Sequence, residues 1–119
     1  MPIIFIHTNS ALEKGEIEHF LPEVVSGVST ALEISEELIH VFLCPLNPLR
    51  TISAGKVGRA LVLYEVQMIK GREKHKKQAL VERLYFVAKK YFPHLNVDIR
   101  TVIQELERDN MGIGGNLLR

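Results

Sequence analysis

Apolar residues recur along the chain in six segments, and their spacing predicts the order strand, helix, strand, strand, helix, strand. The Ile-rich run Pro2–His7 ("PIIFIH") predicts a first strand. Ile17, Phe20, Leu21, Val24, Val25, Val28 and Leu32 then fall at helical spacing. Pro22 sits inside that stripe, which predicts a helix kinked near its middle or starting late. "LIHVFLC" (38–44) predicts the second strand and "ALVLYEVQM" (60–68) the third. Leu80, Val81, Leu84, Val87, Ala88 and Tyr91 mark a second helix that Pro93 ends, and "VDIRTVIQEL" (97–106) predicts the last strand.

This order is one unit written twice. Sliding the chain over itself by 60 positions puts Glu13-Lys14 on Glu73-Lys74, Phe20-Leu21 on Leu80-Val81, Val24 on Leu84 and Val28 on Ala88. The same shift puts "LIHVFL" (38–43) on "DIRTVI" (98–103). The chain therefore reads as a single α/β (α+β) domain over residues 1–119. Repeat one covers 2–44, a linker rich in Pro and Gly covers 45–59, and repeat two covers 60–119. Each strand–helix–strand unit is expected to close as a right-handed βαβ with parallel strands. Two such units give a pseudo-twofold, four-stranded mixed sheet with two helices on one face. "LIHVFLC" and "ALVLYEV" are apolar at nearly every position, as strands buried on both faces are. Two helices cover one face only, so the other face is expected to meet further copies of the chain.

Composition narrows the function without naming it. The chain has 119 residues, 46% of them hydrophobic and 24% charged, and 15 basic against 14 acidic side chains leave a formal charge of +1. Neither a nucleic-acid nor a membrane partner is implied by that balance. The basic run "KGREKHKK" (70–77) lacks interleaved aromatics and reads as a solvated helix start. No apolar run approaches the ~20 residues that span a bilayer. The one cysteine, Cys44, fits a reducing compartment, and a cytoplasmic location is expected. His7, His19, His75 and His94 show no metal-ligand spacing, and no cofactor is expected.

Pro2 admits two readings. Proline is tolerated at a strand start, where its missing N–H costs little. Alternatively, removal of Met1 leaves Pro2 with a secondary amine able to act as a base. Other segments bear on that choice. "RTVIQELERDNMGIGGNLLR" (100–119) resembles the C-terminal stretch of 4-oxalocrotonate tautomerase subunits. "VQMIKGREKHKK" (66–77) resembles that family's first strand, glycine-arginine pair and helix start, and "MPIIFIH" resembles its proline-led strand. Together they cover nearly the whole chain as two fused copies, with the linker as the added part.

The resemblance implies a tautomerase/MIF-like fold, a homotrimer of the fused chain, and a cofactor-independent keto–enol isomerase. It implies that Pro2 shuttles a proton on a small unsaturated or 2-keto acid. It implies that Arg72 holds one substrate carboxylate, and that Arg100, from a neighbouring chain, binds the second carboxylate and the enol or keto oxygen. Met111 stands where the family has an aromatic wall. Each position also has a plain reading: Arg72 as a solvated helix-start residue, Met111 as packing, and Gly112, Gly114 and Gly115 as turn formers.

The two halves have not kept the same residues. Val62 falls at the proline position, Leu12 opposite Arg72, and His40 opposite Arg100 on what reads as the degenerate side. Arg72 lies roughly 30 Å down its strand from Val62, so it is expected to serve Pro2 across an antiparallel strand pair. An α-amine starts near pKa 7.7–8.0, and burial beside two guanidiniums lowers it further towards the operating pH of a general base. Two alternatives stay open: hydratase, dehalogenase or decarboxylase chemistry at the same site, and a non-catalytic trimeric binding protein.

Overall fold

In a computed structural model, residues 1–93 and 96–118 are described, and His94 and Arg119 lie outside them. The elements are β1 (Ile3–Thr8), α1 (Lys14–Leu32), β2 (His40–Pro45), β3 (Ile52–Ser53), β4 (Lys56–Val57), β5 (Leu61–Ile69), α2 (Lys74–Tyr91), β6 (Asp98–Leu106), β7 (Gly112–Ile113) and β8 (Asn116–Leu117). The main sheet has four strands in the order β2-β1-β5-β6. β1 pairs with β2 and β5 with β6 in parallel, while β1 and β5 run antiparallel through the middle. Pairing Ile3 with Gln67 and Thr8 with Val62 puts the pseudo-twofold axis between the two central strands.

Strand alternation builds the core. Ile4 and Ile6 of β1 and Val62, Tyr64, Val66 and Met68 of β5 are fully buried. They form one cluster with Phe20, Val24 and Val28 of α1 and Leu80, Leu84 and Ala88 of α2. Both helices therefore cover one face, each buried side chain contributing about 1.5–3 kcal/mol. α1 begins at Lys14 and runs through Pro22 as one element. The carboxylate of Glu16 accepts from the Glu13 backbone N–H at its start. Tyr64 donates its phenol to the Leu84 carbonyl at 3.0 Å, which satisfies the one hydroxyl in this cluster.

The opposite face is mixed rather than wholly apolar. Phe5 and Phe42 stack on it with centroids 5.4 Å apart, and Phe42 and Val102 are about half exposed. On the central strands, however, the same face carries the paired His7 and Glu65. Gln67 and Gln104 also lie on it.

The supposed linker proves to be part of the repeat. Residues 48–50 form a short helical turn, followed by the β3–β4 hairpin; 108–110 and the β7–β8 hairpin stand sixty positions later. Ala54 and Gly55 join β3 to β4 with φ of 50° and 82°, the left-handed pair a two-residue hairpin turn requires. Asn9, buried after β1, ties this hairpin down. Its amide donates to the Thr51 hydroxyl and the Arg59 carbonyl, and accepts from the Leu61 N–H at 3.0 Å.

Candidate active site

The antiparallel β1–β5 pair decides what stands beside the amino terminus. Continuing its register past Ile3–Gln67 brings the chain start level with Ile69, where β5 ends. Gly71 then turns the backbone with φ of 115°, a conformation that side chains rarely adopt. Arg72 follows, half-buried, its Nη1 donating to the Ile69 carbonyl at 3.2 Å. Burial first, then the Arg72 and Arg108 guanidiniums, hold the Met1 amine below its ordinary pKa. Pro2 itself is buried, and its carbonyl accepts from the His40 N–H at 3.1 Å.

A cavity of about 370 Å³ opens at this end, lined by Met1, Ile3, His40, Phe42, Met111, Gly112 and Ile113. Repeat one supplies its floor through β1 and β2, and repeat two its wall through the β7 hairpin. Pro2, Arg72 and Met111 thus gather at one end of the sheet. Arg108 joins them unforeseen: it lies in the polar run "ERDN", which has no periodicity, although its place just before "MGIGG" was a usable signal. His40 also lies here within its own chain, because parallel pairing sets the start of β2 beside the start of β1. Assigning it to the degenerate side from its repeat position alone overlooked that direction.

Arg100 stands at the other end. It pairs in register with Leu63, five residues along β5 from the level of Pro2, or roughly 17 Å. A second cavity there, of about 300 Å³, is lined by Ile52, Ser53, Ala54, Leu61, Val62, Leu63, Asp98 and Arg100. It is the pseudo-twofold mate of the first, with the β3–β4 hairpin in place of β7–β8. Val62 is an internal strand residue and offers no amine. Arg100 is 71% exposed and donates from Nε to Asp98 at 3.0 Å. Among the described residues, no three of His, Cys, Asp and Glu converge as a metal site, and no helix is long and apolar enough to cross a membrane.

Pt0534 inactivated by 2-oxo-3-pentynoate superposes with a TM-score of 0.90 at 18% identity, covering 98% of this chain and 95% of that one. A fused 4-OT wild-type symmetric trimer gives 0.89 at 22% identity, with coverage of 98% and 94%. The chain has the fused 4-OT fold. Macrophage migration inhibitory factor of Toxoplasma gondii is similar at a TM-score of 0.81, with 13% identity and coverage of 98% and 99%. At the level of sequence, neither a family model nor a curated protein matches. The likeness to fused 4-OT therefore lies in backbone: two βαβ units joined about a pseudo-twofold axis, as the repeat predicted.

Proposed function

We propose that this chain is a tautomerase of the 4-oxalocrotonate tautomerase kind, using Pro2 as general acid/base on a small 2-oxo or unsaturated acid. The observation that carries the reading is the amino terminus opening onto an apolar cavity at the end of β5, where Arg72 is tied to the Ile69 carbonyl. Removal of Met1 frees the Pro2 nitrogen. Its neutral form takes the proton α to the substrate carbonyl and returns it to another carbon of the conjugated system. Arg72 binds the substrate carboxylate, since a guanidinium stays charged and grips that group through two N–H donors. Met111 packs against the carbon chain.

Arg100 completes the site from a neighbouring subunit, where it binds the second carboxylate of a dicarboxylic substrate and stabilises the oxyanion that grows on the keto oxygen. Within one chain it is too distant to do so. The half-exposed Phe42 and Val102 on the open sheet face, together with the trimeric assembly of the fused 4-OT proteins, support a homotrimer. The His40 imidazole in the first cavity favours a second reading, water addition to an unsaturated acid with His40 activating the water.

The test is intact mass followed by two assays. Processed protein lacking Met1 is expected to ketonise 2-hydroxymuconate and enolise phenylpyruvate. Incubation with 2-oxo-3-pentynoate, which inactivates Pt0534, is expected to add one inactivator per chain at the Pro2 nitrogen. Processed protein that neither reacts nor labels sinks the reading, and hydration of a propiolate without tautomerisation favours the second one.

A further inference from the structure

Arg100 has its own support, and that support is confined to one end of the molecule. Asp98 Oδ1 and Oδ2 accept from Arg100 Nε at 3.0 and 3.3 Å, and Ser53 donates its hydroxyl to Oδ2 at 2.6 Å. The carboxylate is thus held from the β3–β4 hairpin while it holds the Nε edge of the guanidinium. The terminal Nη edge makes no hydrogen bond among the described residues and remains free to meet a carboxylate end-on. At the pseudo-symmetric positions stand Leu38, Ile113 and His40, so the end without an arginine lacks both anchoring groups as well.

We propose that Asp98 and Ser53 form an anchor that presents the free edge of Arg100 to a substrate carboxylate, with Asp98 as a positioning residue. This rests on the carboxylate-binding role given to Arg100 above. Two opposing effects fix the sign. Asp98 offsets part of the positive charge that an anion feels, but its Oδ2 also accepts from the Ser53 hydroxyl, which draws part of the carboxylate's charge away from the guanidinium. A long, flexible arginine loses much rotamer freedom when it binds, and an anchor at Nε removes part of that loss beforehand. Ordering prevails over neutralisation, and the anchor strengthens binding.

The experiment measures binding of adipate, an unreactive dicarboxylate, to the full assembled protein by calorimetry, with kinetics on 2-hydroxymuconate in parallel. Arg100→Ala is expected to weaken adipate about tenfold, Asp98→Asn about fivefold and Ser53→Ala about twofold, in keeping with one charge-assisted bond at a surface. In Asp98→Asn and Ser53→Ala, KM for the dicarboxylate rises by similar factors while kcat changes by less than about twofold; Arg100→Ala also lowers kcat, by about 10²–10³, because it removes the oxyanion's donor. In the Arg100→Ala background, Asp98→Asn has no further effect, because the anchor acts only through the arginine. Unchanged or tighter adipate binding in Asp98→Asn overturns the anchor while leaving the role of Arg100 standing. An equal loss in the Arg100→Ala background, or an altered assembly size in size-exclusion chromatography, also overturns it. Wild-type adipate binding by Arg100→Ala removes the role of Arg100 together with the anchor.

Discussion

At one end of the sheet the chain start shares a cavity with Met111 and His40, and the charges of Arg72 and Arg108 reach its amine; at the other, Val62 runs through mid-chain beside Ser53, Asp98 and Arg100. The backbones match, down to a helical turn and a hairpin at equal offsets. The side chains do not. Fusion explains why this division is tolerated. A duplicated fold needs its buried alternation in both halves, but only one half begins the chain, so only that half can present an amine. On the proposed mechanism, the other half is released from that chemistry and is free to specialise in supplying the arginine.

The comparison breaks most severely at Pro2. Pro2→Ala is expected to lower kcat on 2-hydroxymuconate by about 10²–10⁴, the usual contribution of a positioned acid/base, while circular dichroism stays that of the parent. A fall of less than about tenfold makes the two ends chemically equivalent and ends the argument. Arg72→Ala comes next, with kcat/KM for the dicarboxylate down by roughly ten- to a hundredfold. It also carries a pH signature. A base must be neutral, and after burial the Arg72 charge helps lower the pKa of the Met1 amine at this end. With Met1 removed the Pro2 nitrogen stands at the same end, so loss of Arg72 is expected to move the variant's acid limb to higher pH. A limb that stays in place while kcat/KM falls leaves Arg72 as a binding group only. Leu12→Ala, the pseudo-symmetric change, leaves the limb untouched.

The halves also differ in how they are stapled. Asn9→Ala strands the Leu61 N–H and frees the β3–β4 hairpin, with a loss of about 2 kcal/mol in urea unfolding. Its counterpart Ile69 makes no such bonds, so a loss under about 0.5 kcal/mol means the hairpin is held by other contacts. Smallest is Tyr64→Phe, at about 1 kcal/mol, because the Leu84 carbonyl keeps its helical environment.

How much of this was legible depends on which physical rule governs each part. Buried alternation gave β1, β5 and both helices, because burial imposes a period. It extended too far in expecting the second sheet face to be apolar, since Glu65, Gln67 and Gln104 lie there. Continuing the sixty-residue shift through 51–58 places Ala54-Gly55 on Gly114-Gly115, and the hairpin was readable by that route. Composition hid it, because proline and glycine mark a linker and a tight turn alike. Arg72 was placed by strand direction. His40 was misassigned by neglecting strand direction, and Arg108 was missed because a short turn leaves no periodic trace. Asn9 was also missed, since its value lies in three bonds to residues more than forty positions away.

The β7–β8 hairpin, near the carboxyl terminus, roofs the cavity at the first residue. Loss of the hairpin would spare every strand of the main sheet yet unroof the opening beside Met1, so damage after residue 111 would surface more than a hundred positions earlier. Affinity tags face the same geometry from both directions. An extension at the start caps the nitrogen, and a bulky one after residue 118 crowds the entrance it was meant to leave alone.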